Sequence, residues 1–378
     1  MAVIHVTVRR EGLTLRTPGG EAGGAQAAAG LMAALDRVPQ GAPVAALIHG
    51  FRFEPGRGCH DPHDTLFCAR NPRAWPARLG FSPQGRQDGL CIAFGWEARA
   101  SGTRLFSWPR ATGTKNAPQI GIKAMTADLS NGAASIAAGA PMARRVITAA
   151  LRAAAWRLVP DLGFAQVYER AAEAGRCLGA LIEVIHEARP DLTVDMLAHS
   201  LGARAALHAL SAPGAGRAIL LGAAEHAVTA RRLLPRDRPG GAEVINIIAR
   251  HNDLFDAMFE AAAPTPMHGR PGALGRAGLG ARAGNWIDLQ IDNPAHEAFL
   301  AGRGLMLGAA PGPICHRGFY QREGSMRLWS TMLRDRARWS PEALRRSGAP
   351  TDLHPRWSRL AGASAPQAHD GGAMDAPA

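Results

Sequence analysis

The sequence predicts an α/β protein with a mostly parallel central sheet flanked by helices. Three observations carry that expectation. Short, charge-poor apolar runs recur at 43–48, 90–94, 193–197, 218–221, 243–248 and 286–291, as in strands covered on both faces. Helical stretches separate several of them, and strand–helix–strand alternation favours a parallel sheet. A serine, Ser200, also stands where one apolar run passes directly into an alanine- and leucine-rich helix.

Taken in order, residues 3–8 and 13–16 around Glu11 and Gly12 read as a short β-hairpin, and the alanine-rich stretch 24–38 as a helix. The helix expected at 164–187 sets Val167, Ala171, Ala174, Leu178, Leu181 and Ile185 three or four apart, which makes one buried stripe. A further helix is expected at 201–210, after the strand that ends near Ala198. Residues 97–158 lose the strand pattern and read as a cap or lid inserted over the sheet. Residues 261–284, rich in Gly, Pro and Arg, read as a long excursion between strands. One domain is expected over 1–361, with a tail at 362–378 too poor in apolar residues to fold.

The composition narrows the function classes. The chain of 378 residues carries a formal charge of +12 and a pI near 10.8, but the excess is almost all arginine, with Lys115 and Lys123 the only lysines. These arginines are scattered, and no nucleic-acid motif with interleaved aromatics accompanies them, so a nucleic-acid partner is not expected. Five cysteines, an odd number, argue against a secreted disulfide framework. The N-terminus lacks a basic region followed by an apolar stretch, and the longest charge-free run is shorter than a bilayer-spanning helix, so a cytoplasmic setting without a membrane span is expected.

The chemistry concentrates at the serine. A strand that turns directly into a helix crowds the positions two before and two after the turning residue, and these are Ala198 and Gly202. That is the pattern of a nucleophile elbow, with alanine in place of the usual first glycine. It lifts the hydroxyl of Ser200 above the sheet and aims a helix N-terminus at a developing oxyanion. His199, next in the chain, points in another direction and is not the expected base. Upstream, Ile48, His49, Gly50 and Phe51 end the strand at 43–48. The backbone N–H groups of Phe51 and Leu201 are therefore the expected oxyanion donors.

A serine hydroxyl needs a base, and the base needs an orienting group. With such an elbow the chain order is serine, acid, histidine. Asp253 follows the strand at 243–248 and is the expected acid, with Asp256 second and Glu225 third. His316, in a Gly/Pro-rich loop ahead of a final helix from about Ser325, is the expected base, with His296 the alternative. Residues 59–68 hold two Cys, two His and two Asp, but their spacing fits no standard zinc pattern. They read as a loop, and neither metal nor cofactor is expected.

Ile48-His-Gly-Phe51, Tyr168 with its Ala-rich helix, Ala198-His-Ser-Leu-Gly202, Asn252-Asp253 and His316 together resemble the α/β-hydrolase superfamily, and within it the bacterial esterase/lipase-like branch. The likeness spans residues 43–334 in order of elements, while its specific part is these short pieces. It implies an α/β-hydrolase fold and a metal-free serine hydrolase working through an acyl-enzyme on Ser200. The substrate expected is a small ester, with an apolar acyl group suggested by the alanine-rich cap. A binding module built on the same scaffold is the alternative.

Overall fold

The computed structural model describes residues 3–9, 12–17, 20–81, 89–100, 163–235, 241–267, 269, 272–280, 284–310, 312 and 314–354. From residue 101 onward the expected cap lies outside the described residues, as does the tail at 362–378.

Nine strands form one sheet: β1 (Val3–Arg9), β2 (Gly12–Thr17), β3 (Gly20–Gly23), β4 (Val44–Ile48), β5 (Leu90–Trp96), β6 (Val194–His199), β7 (Ala215–Leu221), β8 (Glu243–Ile248) and β9 (Trp286–Gln290). Their spatial order is β3-β2-β1-β5-β4-β6-β7-β8-β9. The pairs from β1 to β9 are all parallel, and β2 alone runs against its two neighbours. The helices that matter for the site are α1 (Gly24–Leu35), α2 (Phe164–Ala188), α3 (Gly202–Ala209), α4 (Asp253–Ala262), α5 (Pro294–Gly302) and α6 (Ser325–Arg334).

The apolar runs follow from burial on both faces. Along β4, Val44, Ala46 and Ile48 belong to one core and Ala45 and Leu47 to the other. In β5, Leu90, Ile92, Phe94 and Trp96 alternate in the same way with Cys91 and Ala93. A strand has a side-chain period of two, so cover on both sides removes any alternation of polarity from the sequence. The first core takes α1 and the stripe of α2, whose Val167, Ala171, Ala174, Leu178, Leu181 and Ile185 are all buried as expected. The second takes the C-terminal elements, with Phe319, Trp329, Met332, Trp339 and Leu344.

Residues 59–68 pack against β1 and β2. Asp61 accepts hydrogen bonds from the N–H groups of Gly56 (2.9 Å) and His63 (2.8 Å), and Arg16 lies 3.4 Å from its carboxylate. The His63 ring stacks on His5 of β1 (centroids 4.9 Å apart) and shares a hydrogen bond with the Thr7 hydroxyl (3.1 Å). Among the described residues no three His, Cys, Asp or Glu side chains gather to hold a metal ion. No helix among them is long and apolar enough to cross a membrane.

Candidate active site

The strand order locates the site. From β4 the chain proceeds to β5 on one side and returns to place β6 on the other, so β4 and β6 flank a topological switch point. In open α/β sheets ligands bind in the crevice outside the carboxyl ends of such strands. Ile48 pairs with Ala198, so Gly50 and Ser200, two residues further along each strand, face each other across that crevice.

Ser200 turns the chain from β6 into α3 with φ of 56°. A left-handed backbone is unfavourable for a serine and persists only where the surroundings impose it. The surroundings here are tight. Its N–H donates to the Leu221 carbonyl (3.0 Å), and its own carbonyl accepts from Ala203 (3.0 Å) and Ala224 (3.1 Å). A Cβ at Gly202 would lie 2.5 Å from the His49 carbonyl oxygen and 2.8 Å from that of Ile48. A Cβ at Gly50 would lie 2.7 Å from Ser200 Cβ and 2.9 Å from the His199 carbonyl oxygen. Ala198 is fully buried between these segments. Gly50→Ala is therefore expected to push the strap of residues 49–51, which follows β4, off the serine, and a displacement of about 1 Å at a reacting group costs on the order of 10²-fold in rate. Ester turnover and the melting temperature of that variant check it, and wild-type values for both would contradict the close approach.

His49 fixes the strap. Its Nδ1 donates to the Gly50 carbonyl (2.9 Å), and its Nε2 accepts from the Trp96 backbone N–H (3.1 Å). The Trp96 indole N–H in turn donates to the His49 carbonyl (3.1 Å), with the two rings stacked. Burial holds this imidazole neutral, with its pKa lowered to about 3. Beyond the strap, the N–H groups of Phe51 and Leu201 donate to no protein acceptor among the described residues. Two unsatisfied donors flanking a serine at a helix N-terminus are what an oxyanion requires.

His316 lies on the loop before the short helix Gly318–Gln321. The carbonyl of His316 accepts a hydrogen bond from His199 Nε2 (2.9 Å), and the two rings are 4.4 Å apart. His199 thus ties the His316 loop to the residue beside the serine, a role that sequence order does not reveal. Phe255 also stacks on His316, 4.5 Å between centroids. Burial first, then His199, His251 and Arg317, holds His316 well below the ordinary 6.5. No hydrogen bond joins Ser200 Oγ to His316 among the described residues; such contacts often tighten only with substrate in place.

The group on His316 Nδ1 is Asn252, whose Oδ1 accepts at 2.6 Å. Asn252 Nδ2 donates to Asp256 Oδ1 (3.0 Å), which fixes the amide so that its oxygen faces the imidazole. The structure thus forms a chain from His316 through Asn252 to Asp256. Asp253, the residue expected at this place, opens α4 and is buried. Between β8 and α4 the chain makes the 3₁₀ turn Arg250–Asn252, and Asn252 at its end, not Asp253, takes the contact with His316. Glu225 is occupied in a buried pair with Arg204 (2.6 Å) and accepts from the Tyr168 hydroxyl (2.5 Å), which anchors α3 against α2. His296 is buried with Nε2 on the Asp352 carbonyl (3.1 Å) and Nδ1 on the Gln290 N–H (3.4 Å). Neither of its ring nitrogens is left for a serine.

Comparison with known proteins returns no matching family model, no matching curated sequence and no matching solved structure.

Proposed function

We propose that this chain is a serine hydrolase of the α/β-hydrolase superfamily, similar to its bacterial esterase/lipase-like branch. It cleaves a carboxylic ester through an acyl-enzyme on Ser200. The observation that carries the reading is the left-handed Ser200 at the switch point, with the Gly50 backbone against it and the Phe51 and Leu201 N–H groups unsatisfied. The order β5-β4-β6-β7-β8-β9, with elbow, orienting turn and histidine loop following β6, β8 and β9 in that sequence, supports it as well.

In this mechanism Ser200 Oγ attacks the carbonyl carbon as His316 Nε2 takes its proton. Asn252 accepts Nδ1–H and so keeps Nε2 unprotonated and free to act as base. The N–H groups of Phe51 and Leu201 take the oxyanion. The imidazolium then gives its proton to the leaving alkoxide, and water, activated by the same nitrogen, releases the acid. An amide in place of a carboxylate fixes the tautomer and adds no charge to stabilise the imidazolium.

Hydrolysis of 4-nitrophenyl acetate across pH tests this. Because only the neutral base works and burial depresses His316, kcat/KM should hold as pH falls through 6.5 and decline only below it. The fold has its own acid limit. His49 and His199 stay neutral to about 3 and about 4 when folded, while the unfolded chain takes up protons from about 6.5 downward, so stability drops over that interval. Brief exposure to each acidic buffer separates the two effects. An acid limb at 6.5 or above would remove His316 as the base. The binding-module alternative draws on the missing hydrogen bond from Ser200 to His316, and it predicts no turnover at any pH.

A further inference from the structure

Three arginines near the segments that flank Ser200 form no ion pair among the described residues. Arg52 directly follows the oxyanion donor Phe51, with φ of 83°. Among the described residues only Arg52 and Ser200 combine a side chain with a positive φ, and such strain gathers at functional sites. The N–H of Arg52 donates to the Ala98 carbonyl (2.7 Å) and the Ala98 N–H to the Phe53 carbonyl (2.9 Å), which sets Arg99 beside the strap. Arg317, exposed, directly follows His316.

Arg52 senses the other two. Burial, then Arg317 and then Arg99, pushes the half-buried Arg52 guanidinium below its usual range. The carboxylates nearest in the chain are committed elsewhere, Glu54 to Arg57 (3.0 Å) and Glu97 to Arg170 (3.7 Å). Among the described residues Arg52, Arg99 and Arg317 form no ion pair. A guanidinium partly desolvated near like charges is unfavourable until an anion arrives. The planar guanidinium fork suits carboxylate and phosphate alike.

We propose that Arg52, Arg99 and Arg317 select an ester that carries an anionic group, carboxylate or phosphate, on the acyl side of the bond that Ser200 attacks. The acyl side follows from Arg52, which adjoins the N–H that takes the carbonyl oxygen. This rests on the serine hydrolase reading and narrows it to a substrate class.

The test compares kcat/KM for 4-nitrophenyl hemisuccinate with that for the nearly isosteric, neutral 4-nitrophenyl pentanoate. The wild-type ratio should favour the anion and shrink with added salt, as screening weakens exposed charges. In Arg52→Gln and in Arg317→Gln the ratio should fall by roughly ten- to a hundredfold, the range of one charge-assisted hydrogen bond. Because each variant is its own control through the neutral ester, partial misfolding leaves the ratio interpretable. Competition against pentanoate turnover identifies the anion: inhibition by glutarate assigns a carboxylate, and inhibition by inorganic phosphate assigns a phosphate. Turnover of pentanoate with no anionic preference, or a ratio unchanged in both variants, would overturn this inference and leave the hydrolase reading in place. No turnover of either ester would overturn the hydrolase reading and this inference with it.

Discussion

Ser200→Ala is expected to reduce ester turnover by about 10⁶-fold, the loss seen in serine hydrolases when nucleophile or base is removed. The change deletes one hydroxyl, and among the described residues that hydroxyl makes no hydrogen bond whose loss would weaken the fold. Alanine also accepts the crowded turn, since it keeps only the Cβ already packed against Gly50. The melting temperature should therefore stay close to that of the wild type. Retained turnover in this variant would exclude Ser200 as the nucleophile, whatever the backbone around it.

The second large effect is expected at His316 and at the group that orients it. His316→Ala should cost about as much as loss of the serine, because the two act as one unit and their effects do not add. Asn252→Leu keeps the size of the side chain but removes the acceptor on Nδ1, so the imidazole is free to adopt the wrong tautomer. A wrong tautomer costs about 10⁴-fold when the geometry is otherwise intact. Asp253→Asn discriminates between adjacent residues. With the orienting bond on Asn252, its effect on kcat should be far smaller than that of Asn252→Leu. The reverse ranking would return the orienting role to Asp253. His296→Ala should leave turnover within a few-fold, and its cost should show in stability instead, since that ring links β9 to residue 352.

Much of the sheet is legible in the sequence because burial on both faces leaves unbroken apolar runs. The run at 243–248 coincides with β8, and those at 43–48 and 286–291 each differ from β4 and β9 by one residue. The elbow is legible for a related reason: its geometry demands small residues at fixed offsets, and Gly202 and Ala198 satisfy that demand. Less legible is whatever depends on long-range contact. The edge strand β3 is Gly-Glu-Ala-Gly, with no strand propensity of its own, and it exists through pairing with β2. The helix α4 is not read from the sequence: Asp253 and Asp256 in its first turn look there like candidate orienting carboxylates, Asp253 first, rather than like a helix start. Choosing Asn252 over Asp253 at His316 depends on the 3₁₀ turn that follows β8. No periodicity records that turn; the signal present was an amide and a carboxylate side by side. The contact of His199 with the His316 carbonyl joins residues 117 apart in the chain, beyond the reach of any local pattern.

The proposed nucleophile, Ser200, is tested most directly by intact-protein mass spectrometry after treatment with a fluorophosphonate. Such a reagent phosphonylates a serine only where a base activates the hydroxyl and N–H donors receive the oxygen. The wild-type chain should gain the mass of one phosphonyl group, mapped by peptide sequencing to Ser200, while Ser200→Ala and His316→Ala should gain none. An unlabelled wild-type protein, or a label on any other residue that persists in Ser200→Ala, would contradict the assignment of Ser200 as the nucleophile.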